Sequence, residues 1–206
     1  MRRLLLISAL LLSSSAFADE QSRNLPVFKS IKSRSAFTLL VEVGKAQSVQ
    51  IKGSDKFINN VVTEVIGDEL IISYKERNSI TISDNSQVTI RIPELSKFKM
   101  EGAGLTTLTN LSGPHFNLAH EGAGMLIAAG KVKSLTLRAQ GVGMVEAKDL
   151  IAEQIDARLE GVGSVSVHAR DNLTASVQGI GSLTYYGHPR NISKTVEGIG
   201  SVRAGD

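Results

Sequence analysis

Six times in its second half the chain returns to one four-residue phrase: Glu or Gln, Gly, an apolar residue, Gly. The copies are Glu101-Gly102-Ala103-Gly104, Glu121-Gly122-Ala123-Gly124, Gln140-Gly141-Val142-Gly143, Glu160-Gly161-Val162-Gly163, Gln178-Gly179-Ile180-Gly181 and Glu197-Gly198-Ile199-Gly200. Successive copies lie 20, 19, 20, 18 and 19 residues apart. A near-constant period of this length marks a repeat architecture, in which one coil cannot bury its apolar face alone and stacks on the next. Architecture is therefore strongly constrained. Function is less so, because a repeat scaffold says nothing by itself about its sites.

Aligned positions predict how each coil is built. The residue between the two glycines (Ala103, Ala123, Val142, Val162, Ile180, Ile199) is apolar in every copy, which predicts that it points inward. The second residue after the phrase is Thr106, Leu126, Val145, Val165, Leu183 or Val202, mostly apolar and β-branched. A second apolar group follows in each coil, such as Phe116 with Leu118, Leu135 with Leu137, or Leu173 with Ala175 and Val177. Turn formers separate the two groups, as at Gly130-Lys131, Lys148-Asp149 and Arg170-Asp171-Asn172. Each coil thus reads as strand, turn, strand and glycine corner. About 19 residues match the contour of one rung of a parallel β-helix, whose rungs stack ~4.8 Å apart. Gly102, Gly104, Gly122, Gly124, Gly141, Gly143, Gly161, Gly163, Gly179, Gly181, Gly198 and Gly200 are then structural, placed where the backbone needs φ > 0 or close approach. A phosphate-cradling loop requires a strand before it and a helix after it, and none of the six copies has that context.

The N-terminus reads as a secretory signal peptide over 1–18: Arg2-Arg3, an apolar run from Leu4 to Leu12, and Ala16-Phe17-Ala18. The run is too short to cross a bilayer, which takes ~20 apolar residues. No later stretch reaches that length, so no transmembrane segment is expected in the mature chain. Cleavage removes two of the 23 Lys and Arg and none of the 20 Asp and Glu, leaving 21 against 20 and a net charge of +1. That balance offers nucleic acid no electrostatic attraction. The chain has no Cys, so neither disulfides nor a cysteine-linked lipid is available.

Residues 19–100 form a β-rich N-terminal part and 101–206 the six repeats, the two expected to make one continuous domain. Residues 19–36 look like a polar lead-in. Strands follow at 37–43, 48–52 and 87–92, the last ended by Pro93, with a short strand or loop at 79–82. Phe57, Ile58, Val61, Val62, Val65 and Ile66 fall at helical spacing, while 61–66, Gly67-Asp68 and 69–74 together read as a hairpin. The β-branched run favours the hairpin and leaves a helix open.

Chemistry-bearing patterns are sparse. A calcium roll needs a nine-residue period and an Asp after the glycines; here that place holds Leu105, Met125, Met144, Ser164, Ser182 or Ser201. The leading acids and amides, Glu101, Glu121, Gln140, Glu160, Gln178 and Glu197, form a polar ladder. Stacked carboxylates repel by roughly 1 kcal/mol in water, which the two Gln relieve, and a cation or amine is the ligand such a ladder would take. Asp149, Glu153, Asp156 and Asp171 fall in different coils, a poor basis for glycosidic chemistry, and Asp156 with Arg158 reads as a surface pair. His115, His120, His168 and His188 lack metal-ligand spacing, and no His accompanies the serine register. Tyr185-Tyr186 is the one aromatic pair, expected to split inside and out, with Tyr186 a candidate ligand contact.

At this point the residues resemble a known family, the secreted GIN-domain proteins described as "putative auto-transporter adhesin" heads. The resemblance rests on Phe28-x-x-Ile31, the strand 37–43 ending in Gly44, Val49-x-Ile51-x-Gly53-Ser54-Asp55, Gly67-Asp68-Glu69-Leu70-Ile71-Ile72, and Val88-Thr89-Ile90-x-Ile92-Pro93-x-Leu95, followed by the glycine ladder. It covers about 25–203. Where the family commonly reads Gly-Ser-Gly-Asp, this chain has Ala, Val or Ile and no Asp, so a role for that Ser-Asp pair does not carry over. The resemblance implies a right-handed parallel β-helix without enzymatic activity, periplasmic or at the cell surface. The expected function is binding or assembly, adhesin-like, with no cofactor, no metal and no catalytic residue. A protein or glycan is the expected partner and a homo-oligomer is open. The alternatives are a carbohydrate-active β-helix enzyme and a passive envelope protein. No translocator barrel is expected from the residues after the repeats, which hold no alternating ten-residue strands.

Overall fold

The computed structural model describes residues 19–34, 36–75 and 86–206. The expected signal peptide and the strand or loop expected at 79–82 lie outside the described residues. The elements are β1 (Asp19–Arg23), β2 (Ser30–Arg34), β3 (Thr38–Val43), β4 (Ser48–Gly53), α1 (Asp55–Asn60), β5 (Val61–Ile66), β6 (Glu69–Tyr74), β7 (Gln87–Ile92), β8 (Lys97–Met100), β9 (Leu105–Gly122), β10 (Met125–Tyr186) and β11 (Asn191–Ala204). The fold is all-β apart from α1, and its strands join one 11-stranded sheet.

In the repeats each tier lies parallel on the one before it. β10 meets β9 with Leu126 beside Thr106, Leu137 beside Leu118 and Gly141 beside Gly122. β11 meets β10 with Val177 beside Val196, Gly179 beside Gly198 and Leu183 beside Val202. Alternation of period two turns Leu126, Val145, Val165 and Leu183 inward after each glycine phrase, and Phe116, Leu135, Ile155 and Leu173 inward later in each tier. The turns expected at Gly130-Lys131, Lys148-Asp149 and Arg170-Asp171-Asn172 do not break the strand: all lie within β10, whose bends keep their ladder pairing.

The N-terminal part stacks out of chain order. β2 and β3 lie under β8 and β9, with Ile31 beside Phe98 and Leu39 beside Thr106. The later strands β6 and β7 lie parallel on their opposite edge, with Ile31 beside Leu70 and Leu39 beside Val88. Three antiparallel strands close this end: β5 on β6, β4 on β7, and β1 on β4. The supposed lead-in 19–36 therefore holds two strands, β1 and β2. Its polar sequence hides them because β1 is an edge strand that needs no apolar face.

The segment left between helix and hairpin is both. Residues 55–60 form one helical turn whose N-cap is Ser54, its Oγ accepting from the Phe57 amide at 3.3 Å. Residues 61–66 pair with β6 as the hairpin, about Gly67 at φ +64. The helix exists because it buries Phe57, which meets Phe37 edge-on at 5.2 Å and stacks on Tyr74 at 6.0 Å. Phe28, Phe37, Phe57, Phe98 and Phe116 fill the interior at this end, whereas later tiers use Ala, Val and Leu.

At the other end of the stack no strand among the described residues covers β11. Ile192 and Val196 of β11 are 42% and 44% exposed, although their partners Leu173 and Val177 are buried. A long open edge invites pairing with another chain, and an inward-pointing charge is one defence. Lys194 is that charge. It stands beside the buried Ala175, its Nζ donating to the Tyr185 hydroxyl at 3.0 Å and lying 4.5 Å from the ring centre. Lys194→Val is expected to make the protein self-associate, seen as a concentration-dependent rise in mass by light scattering. An unchanged mass across the micromolar range would show that the charge is not the protection.

Candidate functional site

The residue between the glycines does not point inward. Val142, Val162, Ile180 and Ile199 are 58%, 47%, 54% and 77% exposed, and Ala103 and Ala123 are exposed too. Strand parity explains the correction. Ala103 and Thr106 stand three residues apart, so a pleated chain puts them on opposite faces, and Thr106 is buried. The two glycines take the inward places beside it. The outward row continues through Leu105, Met125 and Met144, each more than a third exposed. Six stacked tiers therefore carry an apolar ridge along the molecule, ~24 Å long at ~4.8 Å per step. A continuous apolar surface of this kind marks an interaction site more often than scattered exposed residues do.

The glycines make that ridge possible by letting tiers approach closely. The first glycine of the last four copies has φ between +106 and +124, a region closed to other residues. A Cβ at Gly141 would stand 2.6 Å from the Gly122 carbonyl oxygen, and one at Gly161 would run into the Gly141 oxygen. At the second glycine the obstacle is also a side chain of the tier below: Leu159 Cδ2 would lie 2.8 Å from a Cβ at Gly181.

Beside the ridge runs the polar ladder, and its members bind one another. Gln140 Nε2 donates to Glu160 at 2.6 Å and Gln178 Nε2 to Glu197 at 3.3 Å, so amide and carboxylate meet where two carboxylates would repel. Glu101 heads a cationic cluster: Lys32 Nζ at 2.8 Å, Arg34 Nε at 2.9 Å and Lys99 Nζ at 2.8 Å, with Lys99 also 2.8 Å from Glu121. Burial pushes the Glu101 carboxyl up, but bonds from Lys32, Lys99 and Arg34 outweigh it and hold the carboxyl at about 2. The Lys99 ammonium is raised in turn, first through its bond to Glu101.

The remaining candidates scatter. His115 is exposed and His120 is buried, as five residues along a strand require, so they do not form a metal pair. His120 sits between Met100 and Ala139 of adjacent tiers, its Nε2 without a hydrogen-bond partner. Burial holds its imidazole below the ordinary value, partly offset by backbone groups of Gly124 and of His120 itself. Asp156 and Arg158 do pair, at 3.3 Å. Tyr185 is buried and Tyr186 half-buried. Ser182 and Ser201 are register partners in the outward row. Asp149 is exposed, Glu153 half-buried, and Asp171 lies 3.8 Å from Arg190. Among the described residues no three His, Asp or Glu converge as a metal site, and no helix is long and apolar enough to cross a membrane.

In the sequence, Leu105, Met125 and Met144 stand out only as residues that are not Asp. The signal that finds them is the parity of each strand counted from its buried residues, which puts them in one row with the residue between the glycines.

The family described as "Putative auto-transporter adhesin, head GIN domain" matches residues 27–189. No curated protein matches. A crystal structure of "a putative adhesin" from Bacteroides fragilis superimposes with a TM-score of 0.75 at 22% identity, covering 92% of this chain and 98% of that one. "A putative adhesin" from Parabacteroides merdae gives 0.54 at 15% identity over 93% and 98%. One from Parabacteroides distasonis gives 0.50 at 18% identity over 91% and 97%. At such identities the likeness speaks to the fold.

Proposed function

The chain belongs to the GIN-domain family of "putative auto-transporter adhesin" heads, and from that premise we propose that it is an exported, non-enzymatic binding protein of the cell envelope or surface, adhesin-like in action. In this reading its tiers form a right-handed parallel β-helix, a rigid rod that presents one side to a protein or glycan partner. The observation that carries it is the outward apolar ridge of Val142, Val162, Ile180 and Ile199, continued by Leu105, Met125 and Met144. Apolar area on this scale is normally buried when a molecule works alone, and the polar ladder alongside supplies the rim that interfaces surround it with.

The disposition of the acids supports binding over catalysis. Glu42, Glu69, Glu94, Glu101, Glu121, Asp156 and Asp171 all have a cationic partner. A glycosidase pair needs two carboxyls facing one substrate bond, one of them held protonated. Among the described residues the one strongly shifted carboxyl, Glu101, is shifted the opposite way.

Val162→Asp with Ile180→Asp tests the ridge. Both side chains point to solvent, so the fold should keep its melting temperature within a few degrees. Saturable retention of labelled envelope fragments should drop about tenfold, the effect of losing one interfacial anchor. Retention equal to the unaltered protein would remove the ridge from the function.

A further inference from the structure

One side of the repeats carries a groove that meets the ridge at Met144 and runs away from it. Three depressions run into one another there. The first, of about 230 Å³, is lined by Glu146, Ser166, Thr184 and Arg203 together with Lys148 and Tyr186. The second, of about 540 Å³, shares Lys148 and Tyr186 with it. The third, of about 360 Å³, shares His168, Gly187 and His188 with the second and adds Lys131 and Arg170.

Arg203, Lys148, Arg170 and Lys131 thus follow one another along a single channel. Among the described residues none of these four has a carboxylate within ion-pair distance, whereas Lys29, Lys32, Arg34, Arg91, Lys97, Lys99, Arg158 and Arg190 all do. Like charges facing one channel disfavour each other, and an anion between them relieves both.

The rest of the lining narrows the choice of anion. His168 Nδ1 donates to the Lys148 carbonyl at 3.2 Å, which fixes the ring and leaves Nε2 as its remaining nitrogen. Ser166 Oγ is buried without a hydrogen-bond partner, a state that polar groups rarely keep. Tyr186 stands where two of the depressions join, giving an aromatic surface. Glu146, Asp149 and Asp206 interrupt the cations. A flat anionic membrane or a nucleic-acid backbone would meet those carboxylates unfavourably. A ligand with separated negative groups and many hydroxyls would use them as acceptors.

We propose that this groove binds an acidic oligosaccharide. Its carboxylates or phosphates lie on Lys131, Arg170, Lys148 and Arg203, and its hydroxyls bond the interspersed acids. The groove touches the ridge at Met144, but its four cations lie outside the ridge, so charge-removing variants in the groove read it apart from the ridge.

Titration calorimetry on the whole protein tests it with four probes: a tetramer of galacturonic acid, glucose 6-phosphate, neutral maltotetraose and inorganic phosphate. Binding of the uronate tetramer or the sugar phosphate, with maltotetraose silent, is the expected result, and which of the two binds identifies the source of the charge. Lys148→Ala with Arg170→Ala should weaken that binding at least tenfold and lessen its salt dependence. Lys133→Ala, exposed in the same repeat as Lys131 but outside the groove, should leave it unchanged. The proposal is overturned if neither acidic sugar binds, if maltotetraose or inorganic phosphate binds as tightly, or if the folded Lys148/Arg170 variant keeps full affinity. An equal loss in Lys133→Ala would also overturn it, since it would reduce the effect to unspecific charge.

Discussion

Gly161→Ala should cost about 4 kcal/mol and lower the melting temperature by roughly 10 °C, while Gly44→Ala should cost about 1 kcal/mol. Both glycines have positive φ, +124 and +82. At Gly44 nothing lies within 4 Å of an added methyl, so only backbone strain is introduced. At Gly161 the methyl meets the Gly141 carbonyl oxygen, which belongs to the neighbouring tier and cannot retreat without opening the stack. Thermal unfolding of the two variants side by side separates close approach from turn geometry. Equal losses at the two positions would mean that the tiers have room to part.

Acid should destabilise the protein in two separable steps. His120 is held below its ordinary value of 6.5 by burial. As pH falls below 6.5 the unfolded chain takes up a proton that the folded chain refuses, so stability declines by up to about 1.4 kcal/mol per pH unit until the folded imidazole titrates. Glu101 behaves in the other usual sense. Its carboxyl moves from 4.5 to about 2 on folding, so its contribution is whole above pH 4.5 and lost as pH falls towards 2. With its side chain 24% exposed, screening leaves about 2 kcal/mol of this. His120→Leu should abolish the first step and, by removing an unpartnered buried nitrogen, add about 1 kcal/mol at neutral pH. Glu101→Gln should lose about 2 kcal/mol at pH 7 and nothing near pH 2. Urea titrations across pH 7 to 2 read both; a decline below pH 6.5 that survives in His120→Leu would assign it elsewhere.

The candidate site was only half legible. The polar ladder and the glycine ladder are written in the period, and the structure aligns them tier on tier. The ridge was hidden by a rule applied one step too far, that apolar residues point inward. Val162 and Ile180 obey strand parity over hydrophobicity, because Val165 and Leu183 already occupy the inner face of the same strands. The groove was less visible still, since Lys131, Lys148, Arg170 and Arg203 come from different tiers and share no motif.

By itself the sequence determined the period of the stack, the inward column from Leu126 to Leu183, and the corners where only glycine serves. These are local properties, set by pleat alternation and by backbone conformations a single residue can or cannot adopt. Tertiary structure alone decided that β6 and β7 lie beneath β2 and β3, that β5, β4 and β1 close the end antiparallel, and that Lys32, Arg34 and Lys99 meet on Glu101. The reason is that alternation says which face of a strand is buried but not which strand is its neighbour. That choice belongs to the whole chain, where this order of stacking buries Phe28, Phe37, Phe57 and Phe98 together.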